Sequence, residues 1–446
     1  MSSAVHAPRL PAARRTLAPP GFALYAYLLL LPLWWALGLG NFIWPLLAFP
    51  LVLALIARGE VLVAPRFGLW LLFVAWMLLS AFELDSPDRI LAFSYRGAIY
   101  LSATVLFLWI LNTSPEVLPD RAILAALTGL WLLVVLGGFL GILFPHAAFP
   151  TLAERILPAG LANDDFIRQL VHPSLADIDD FLGYPLPRPK TFFPYANAWG
   201  AALAVLTPFA LASLRGARSP LVRRGLQLSL VLAVVPLVFS LDRGAWLALA
   251  VALAYASIRL ALRRNLGAVA GLLAFVAALA VLLLATPLGN VVRDRFAHPH
   301  SNAGRERLYE ESVSRVVKES PLLGFGAPRP SERGGYLPSV GTQSQASLLL
   351  FSHGIPGLAL FLAWFGYLVL RSRRPGRGED ESRARLRFWA HVSLLVFLVE
   401  TAYYEMIPLP LHIAMIAGAL VLRPELRRAG EATNRRHAAP PVEARA

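Results

Sequence analysis

Residues 225–262 read GLQLSLVLAVVPLVFSLDRGAWLALAVALAYASIRLAL, two apolar runs that are interrupted by Asp242, Arg243 and Gly244. Each run is close to the roughly 20 residues that an α-helix needs to cross a hydrocarbon core about 30 Å thick. The interruption is too short for anything but a tight turn. The stretch therefore predicts a helical hairpin that spans a membrane and carries charges at its tip.

The rest of the chain repeats this pattern. Of its 446 residues, 57% are hydrophobic and 15% are charged, whereas an ordinary soluble domain is about 25% charged. Strand-length alternation of apolar and polar residues is missing, which disfavours an outer-membrane barrel. We expect an all-α polytopic membrane protein with about 12 transmembrane helices. The apolar runs lie near 21–39, 42–57, 67–83, 96–112, 121–144, 193–214, 225–241, 244–262, 267–286, 345–370, 387–403 and 405–422.

The distribution of arginine predicts the orientation of these helices, because cytoplasmic loops carry an excess of Lys and Arg. With the N-terminus inside, every second loop holds the arginines, most densely in the loop 371–387. Both termini are then cytoplasmic and two long loops face outward. We expect the chain in the bacterial inner (cytoplasmic) membrane, with its active site facing the periplasm.

The spans and loops divide the chain into seven predicted segments. They are a cytoplasmic N-terminal tail (1–20), a first transmembrane bundle (21–144), a periplasmic loop (145–192), a second transmembrane bundle (193–286), a periplasmic catalytic loop (287–344), C-terminal transmembrane helices (345–422) and a basic cytoplasmic tail (423–446).

Composition excludes several kinds of function. The chain has no cysteine, which excludes disulfides, thiolate zinc sites and a cysteine nucleophile. Its net charge of +14 comes from arginines spread over short loops, so we expect no nucleic-acid partner. His298 and His300 beside Asp294 form a poor zinc site, and a phosphate-binding glycine loop is missing. We expect neither a metal nor a cofactor.

The charged pair at the hairpin tip is the first candidate for function. Arg243 at an outward turn runs against the positive-inside bias, and ionisable groups near the membrane tend to mark function. The alternative is a solvated turn in which Asp242 and Arg243 neutralise each other.

A second candidate is Arg305, in a predicted amphipathic helix over 304–319 that Ser301 or Asn302 caps. An arginine at a helix start suits a phosphate, because its planar fork and the helix dipole act together. A surface salt bridge with Glu306 or Glu310 is the alternative.

Weaker signals lie where the two long loops re-enter the membrane. Arg188, Lys190 and Asn197 have the chemistry to bind lipid head groups, although basic residues also act as interface anchors. Gln343 precedes the tenth apolar run in a stretch that also suits a helix cap. His353, nearly three turns into that run, is expected to be a hydrogen-bonded interior histidine.

These motifs, in this order, resemble the O-antigen ligase and polymerase superfamily over roughly residues 180–365. The motifs that carry the resemblance are Arg188…Thr191-Phe-Phe…Asn197, Ser240-Leu-Asp242-Arg243-Gly244-Ala, Gly304-Arg305…Pro321-Leu-Leu-Gly324-Phe-Gly326 and Gly341-Thr342-Gln343-Ser344…Gly354-Ile-Pro-Gly357. The resemblance implies a glycosyltransferase-C-type membrane fold. It also implies transfer of a glycan from an undecaprenyl-diphosphate carrier to an acceptor hydroxyl, without metal or nucleotide.

The resemblance further implies that Arg243 and Arg305 are catalytic residues that hold the diphosphate, with Arg188 near the same cavity. Preorganised guanidinium groups would stabilise the charge on the departing diphosphate, and they stay protonated. We expect the other substrate-binding residues to be Lys190, Asn197, Asp242, Tyr309 and Glu310.

One position departs from the superfamily. Ligases carry a histidine where this chain has Gln343, which we expect to be the third catalytic residue. A glutamine cannot accept a proton at neutral pH, although it can orient the acceptor hydroxyl. Either Glu310, Glu311 or Asp242 then accepts the proton, or the good leaving group makes a general base less important for the transfer. This departure favours a polymerase of lipid-linked repeat units over a ligase that acts on lipid A core.

The sequence therefore predicts an inverting, metal-independent glycosyltransferase. Its partners are an undecaprenyl-diphosphate-linked glycan donor, a glycan or lipid-linked acceptor and membrane lipid, and binding of a chain-length regulator stays open. A flippase for lipid-linked oligosaccharides is the alternative, for which Glu400 and Glu405 are the best evidence. A cell-wall glycan polymerase of the shape and division type ranks third.

Overall fold

The computed structural model describes residues 21–158, 160, 165–180, 182–262, 264, 266–297, 301–332, 339–374 and 379–438. The described part of the chain is mostly helical. The α-helices are α1 Phe22–Leu29, α2 Leu31–Ala36, α3 Ile43–Ile56, α4 Gly68–Leu79, α5 Pro87–Asn112, α6 Asp120–Leu143, α7 Leu152–Ile156, α8 Asp165–Val171, α9 Ala196–Gly216, α10 Pro220–Leu232, α11 Val234–Phe239, α12 Arg243–Leu262, α13 Leu266–Ala285, α14 Leu288–Ala297, α15 Ser301–Glu319, α16 Gln345–Ser372, α17 Glu381–Thr401 and α18 Leu409–Ala438. A 3-10 turn, Ser80–Glu83, follows α4.

Each apolar run that the sequence marks as a span falls on helix. Among the described residues, six helices are long and apolar enough to cross a membrane, namely Pro87–Asn112, Asp120–Leu143, Ala196–Gly216, Pro220–Phe239, Arg243–Leu262 and Gln345–Ser372. The shorter apolar helices are Ile43–Ile56, Gly68–Glu83 and Leu409–Arg423. The chain is therefore a polytopic membrane protein, while the number of 12 spans and their orientation stay predictions.

The structure differs from the sequence predictions in three places. The first long loop contains a β-hairpin, in which β1 (Ala176–Asp179) pairs antiparallel with β2 (Leu186–Pro189). Helix α15 begins at Ser301, so Ser301 and Asn302 lie inside the helix instead of capping it at Gly304. The last helix begins at Leu409 and not at residue 405, because two prolines at 408 and 410 permit only a helix start there.

Some predictions fall outside the described residues. They concern the N-terminal tail 1–20, the histidines His298 and His300, and the last residues of the basic tail.

The centre of the bundle is formed by α9, which packs between α6 and α17. Its inward face is built from small residues, and Ala201, Ala202 and Ala204 have no exposed surface. Small side chains let helix backbones approach closely, which is how helices associate in membranes without a strong hydrophobic driving force. Helix α9 therefore fixes the positions of its neighbours at both ends of the bundle.

The β-hairpin, the turn between α11 and α12, helices α14 and α15, and the segment 402–408 between α17 and α18 meet at one end of this bundle. We call this end the loop end. It contains the candidate site.

Candidate functional site

The turn between α11 and α12 is the centre of the site. The amide of Asp242 donates to Oγ of Ser240 over 3.2 Å, and Oδ1 of Asp242 accepts from the amide of Ala245 over 3.0 Å. Asp242 thereby caps the N-terminus of α12 in the way that aspartate stabilises helix starts. Its side chain has no exposed surface. The alternative of a solvated turn is therefore wrong for Asp242.

Burial changes the acidity of this carboxyl group. It raises the pKa of Asp242 from an ordinary 3.8 to about 6, although the Ala245 and Tyr404 hydrogen bonds and the charges of Arg188 and Arg305 oppose the shift. Helix α9 approaches the carboxylate at Gly200, where an added Cβ would overlap Oδ2 of Asp242. A glycine is required at this position because the acidic side chain occupies the space of a β-carbon.

Arg188 connects the β-hairpin to this turn. Its Nε donates to the carbonyl of Ser240 over 2.8 Å, Nη1 pairs with Asp179 over 2.7 Å, and Nη2 donates to Oδ1 of Asn197 over 2.7 Å. Lys190 forms a further ion pair with Asp177 (Nζ to Oδ1, 2.6 Å). The structure thus brings Arg188, Lys190 and Asn197 together, and protein groups bind the guanidinium of Arg188.

Four arginines of the described residues gather around the turn: Arg188, Arg243, Arg295 and Arg305. We call them the arginine cluster. Arg295 is 5% exposed, and its Nε donates to the carbonyl of Leu241 over 3.3 Å. Burial lowers the pKa of Arg295 to about 10, and the charges of Arg243, Arg188 and Arg305 act in the same direction. The cluster therefore concentrates positive charge that an anion would relieve.

Members of the cluster differ in accessibility. Arg188 and Arg295 are buried, whereas Arg243 at the start of α12 and Arg305 in α15 are partly exposed. The buried pair holds the turn by donating to its carbonyl groups, and the partly exposed pair is the more accessible part of the cluster.

Tyr404 links three parts of the site. The guanidinium of Arg305 lies over its ring, 5.4 Å from the centroid. Its hydroxyl accepts from the amide of Gly244 over 3.3 Å, and its carbonyl accepts from the amide of Gln345 over 2.8 Å. An added Cβ on Gly244 would overlap the Tyr404 ring. The Arg305 motif, the Asp242–Gly244 motif and the start of α16 therefore meet at one tyrosine.

Helix α15 is held over the same segment by Tyr309. The Tyr309 hydroxyl donates to the carbonyl of Ala402 over 3.1 Å. The neighbouring Glu310 is exposed. Of these two predicted substrate-binding residues, Tyr309 docks the helix that carries Arg305, and Glu310 faces solvent.

Gln343 lies in a local network before α16. Its Nε2 donates to the Ser339 carbonyl over 2.9 Å, and its Oε1 accepts from the Gly341 amide over 3.2 Å and from the Ser347 hydroxyl over 3.3 Å. The side chain is 8% exposed. Protein groups thus form hydrogen bonds with both the Nε2 and the Oε1 of the Gln343 side chain.

His353 has the interior role that the sequence predicted. The side chain is 3% exposed, and its Nδ1 lies 2.7 Å from the hydroxyl of Ser80. Elsewhere, no group of three His, Asp or Glu side chains within the described part of the chain is arranged to hold a metal ion.

The glycine-rich motif Pro321–Gly326 fills a break in α16. At Gly354 the backbone has φ 68° and ψ −173°, a conformation that is essentially restricted to glycine. The backbone polar groups that lose their helical partners at the break form hydrogen bonds with the motif. Phe325 and Gly326 donate to the carbonyls of Phe351 and Ser352 (both 2.8 Å), and Ile355 donates to the carbonyl of Pro321 (2.9 Å).

This contact explains why the two motifs occur together. An added Cβ on Gly354 would overlap the carbonyl of Leu322, and one on Gly324 would lie 2.5 Å from the carbonyl of Phe351. Broken helices are tolerated in membranes when neighbouring groups re-satisfy the freed backbone. The motif is thus a packing element that positions α16 and the loop before it.

An apolar cavity of about 730 Å³ lies beside the turn. Trp246, Leu237, Val238 and Val292 line it near the arginine cluster, and Arg215, Arg223 and Gln227 line it near the other ends of the helices. Trp246 is one helical turn from Arg243 on α12. The cavity therefore extends along these helices, and one of its ends lies near the cationic site.

Sequence reasoning did not identify Arg295, Tyr404 or Gly200. Arg295 lies in a helix that has no motif, and Tyr404 follows the predicted eleventh span. The positive-inside bias gives one usable signal, because Arg295 is another arginine in a loop that is predicted to face outward. Nothing in the sequence pairs Gly200 with Asp242.

Fold and site together define a helical membrane protein with a cationic site at one end of its bundle. The model of a family described as O-antigen ligase matches residues 228–362. This match confirms the resemblance to the O-antigen ligase and polymerase superfamily that the motifs indicate. No curated protein matches the chain. The matched range contains Asp242, Arg243, Arg305 and Gln343, whereas Arg188 and Tyr404 lie outside it.

Proposed function

We propose that this protein transfers a glycan from an undecaprenyl-diphosphate carrier to the hydroxyl of an acceptor glycan, on the periplasmic side of the inner membrane. The family match supports an O-antigen ligase-like or polymerase-like activity. The observation that carries the donor chemistry is the arginine cluster around the Leu241–Arg243 turn. A diphosphate is the anionic group that such a cluster fits best, because each guanidinium matches two phosphate oxygens.

In this proposal Arg243 and Arg305 contact the diphosphate. As the bond between the anomeric carbon and the phosphate oxygen breaks, its electron pair goes to the diphosphate. Fixed positive groups stabilise this developing charge without reorganisation. Arg188 and Arg295 lie behind them, hold the turn and add positive potential. The attack of the acceptor hydroxyl from the opposite side inverts the anomeric carbon.

The apolar cavity supports a lipid-linked donor. Its lining places aromatic and aliphatic side chains next to the helix that begins at Arg243. An isoprenoid chain in this cavity would have its diphosphate end at the cluster. The cavity also reaches Arg215 and Arg223 near the far ends of the helices, which is the specific observation that keeps a flippase as the second candidate.

Within the superfamily, we propose a polymerase of lipid-linked repeat units, since Gln343 stands in the position of the ligase histidine. The network around Gln343 supports a structural or orienting role, because its amide is bound by Ser339, Gly341 and Ser347.

The experiment uses purified protein in nanodiscs with a synthetic polyprenyl-diphosphate oligosaccharide. We expect release of free polyprenyl diphosphate together with a lengthened or transferred glycan. Arg243→Ala and Arg305→Ala should lower the rate about 100-fold or more, the usual loss for one group that stabilises a transition-state charge. Arg293→Ala and Arg307→Ala are matched controls, because these exposed arginines lie on α14 and α15.

If none of the folded preparations releases polyprenyl diphosphate, the transferase proposal is wrong. Movement of the intact lipid-linked oligosaccharide across vesicles, without release, would instead establish the flippase.

A further inference from the structure

The ion pair between Arg96 and Glu405 lies at the loop end beside the arginine cluster. The Nε of Arg96, in α5, is 3.6 Å from Oε1 of Glu405, in the segment 402–408. The Arg96 side chain is 11% exposed and that of Glu405 is 33% exposed. Glu405 follows Tyr404 directly, and its charge also acts on Tyr195, which precedes α9. The carboxylate is thus sheltered and still accessible.

The backbone around Glu405 is fixed by one buried glutamine. The amide of Gln345 donates to the carbonyl of Tyr404 over 2.8 Å, and its side-chain Oε1 accepts from the amide of Met406 over 3.0 Å. Gln345 has no exposed surface, and its Nε2 donates to the hydroxyl of Tyr100 over 2.8 Å. Both neighbours of Glu405 are therefore anchored, so its carboxylate is held in place.

The buried acidic groups near the cluster are less suited to take a proton from an acceptor. Asp242 and Glu400 have no exposed surface. Glu311 is 5% exposed and accepts from the Ser331 hydroxyl over 2.6 Å and the Glu332 amide over 2.9 Å. A general base must reach the hydroxyl that it deprotonates. Glu405 combines access with a position next to Tyr404, over whose ring the guanidinium of Arg305 lies.

We propose that Glu405 is the general base that accepts the proton of the acceptor hydroxyl, and that Arg96 is its positioning residue. This inference rests on the proposed glycan transfer. As the acceptor oxygen forms its bond to the anomeric carbon, the proton moves to the Glu405 carboxylate. The electron pair of the breaking bond leaves with the diphosphate. The protonated Glu405 then returns its proton to water.

The environment of Glu405 agrees with this role. Burial raises the pKa of Glu405, while the charge and hydrogen bond of Arg96 act against that rise. A raised pKa makes a carboxylate a stronger base, which is the direction of tuning expected of a general base.

The test measures the pH dependence of turnover in nanodiscs, together with the affinity for polyprenyl diphosphate. Glu405→Gln should lower kcat at least 100-fold, leave that affinity within about threefold, and remove the decline of the rate towards acidic pH. Glu306→Gln, an exposed residue of α15, is the matched control and should behave like the wild type. Arg96→Gln should move the acidic decline to higher pH, because the opposing positive charge is gone.

These measurements distinguish a failure of this inference from a failure of the transfer proposal. If the wild type releases polyprenyl diphosphate but Glu405→Gln stays within about threefold of it, the inference is wrong and the transfer proposal stands. The same conclusion follows if Glu310→Gln, and not Glu405→Gln, removes the acidic decline. Should Glu405→Gln fail to fold, the shift in Arg96→Gln decides, and an unshifted profile overturns the inference. A wild type without release in any condition counts against the transfer proposal instead.

Discussion

The guanidinium of Arg305 lies over the ring of Tyr404, with its Cζ 5.4 Å from the ring centroid. The contact joins α15 to the segment between α17 and α18, and the hydroxyl of the same tyrosine reaches the amide of Gly244. A cation over an aromatic face contributes about 0.5–2 kcal/mol, more as water is excluded. Tyr404 therefore orients one arginine of the cluster while it also holds the turn that carries another.

Substitutions of Tyr404 separate these two contributions. Tyr404→Phe keeps the ring under Arg305 and loses the hydroxyl, so we expect a loss of stability of about 1 kcal/mol and turnover within about threefold of the wild type. Tyr404→Leu also loses the ring, and its turnover should fall at least tenfold because Arg305 is no longer oriented. The measurements are thermal unfolding in detergent and release of polyprenyl diphosphate. Equal turnover of the two variants would show that the ring does not orient Arg305.

The close approach of Gly200 to Asp242 predicts a steric effect at the loop end of the bundle. Gly200→Ala places a methyl group against a carboxylate that has no room to move, so we expect destabilisation of about 1–3 kcal/mol. Gly225→Ala is the matched control, because an added Cβ at Gly225 in α10 meets nothing within 4 Å. There, alanine should stabilise the helix by up to about 1 kcal/mol. Comparing the two midpoints of thermal unfolding tests the contact.

A third prediction concerns pH. The folded protein raises the pKa of Asp242 from 3.8 to about 6, so the folded state binds this proton more tightly than the unfolded state does. The stability that this proton contributes is complete below pH 4, and it is lost as the pH rises through about 6.

Asp242→Asn should therefore lack this part of the decline in stability between about pH 4 and pH 7, because its amide stays neutral. Asp88→Asn, at an exposed position of α5, should keep the decline. The readout is the midpoint of thermal unfolding as a function of pH. An identical decline in wild type and Asp242→Asn would show that another group is responsible.

The break in α16 predicts that Gly354 is required for packing. Gly354→Ala forces a β-carbon into a glycine-only backbone conformation and against the carbonyl of Leu322. We expect destabilisation of about 1–3 kcal/mol and a matching loss of folded yield. Gly366→Ala, in the same helix with nothing within 4 Å of an added Cβ, should be neutral or slightly stabilising. A neutral Gly354→Ala would contradict the docking of Pro321–Gly326 in the break.

Much of this architecture is predictable from local sequence patterns. The apolar runs coincide with helices because a polypeptide in hydrocarbon has to satisfy its backbone polar groups within each segment. The interior role of His353 and the family resemblance were predicted in the same way. The β-hairpin was not predicted, since its strands have four residues each and β2 contains two prolines that obscure any alternation.

The site is less predictable, because its parts come from distant segments. The motifs indicated Arg243 and Arg305 as phosphate-binding residues, and the structure places both around one turn, with Arg188 behind them. Arg295 and Tyr404 emerged only from the fold. The sequence predicted substrate-binding or catalytic roles for Arg188, Asp242 and Gln343. In the structure, each of them binds protein groups at the site.

The chain alone specifies a helical membrane protein with polar motifs between its apolar runs, because hydropathy acts locally along the polypeptide. Which guanidinium groups meet, and which carboxylate stays accessible beside them, depends on the packing of α9, α12, α15 and α16. Those contacts join residues that are far apart in the chain, and their electrostatics depend on burial. Only the folded bundle determines these contacts and the burial of the groups that make them.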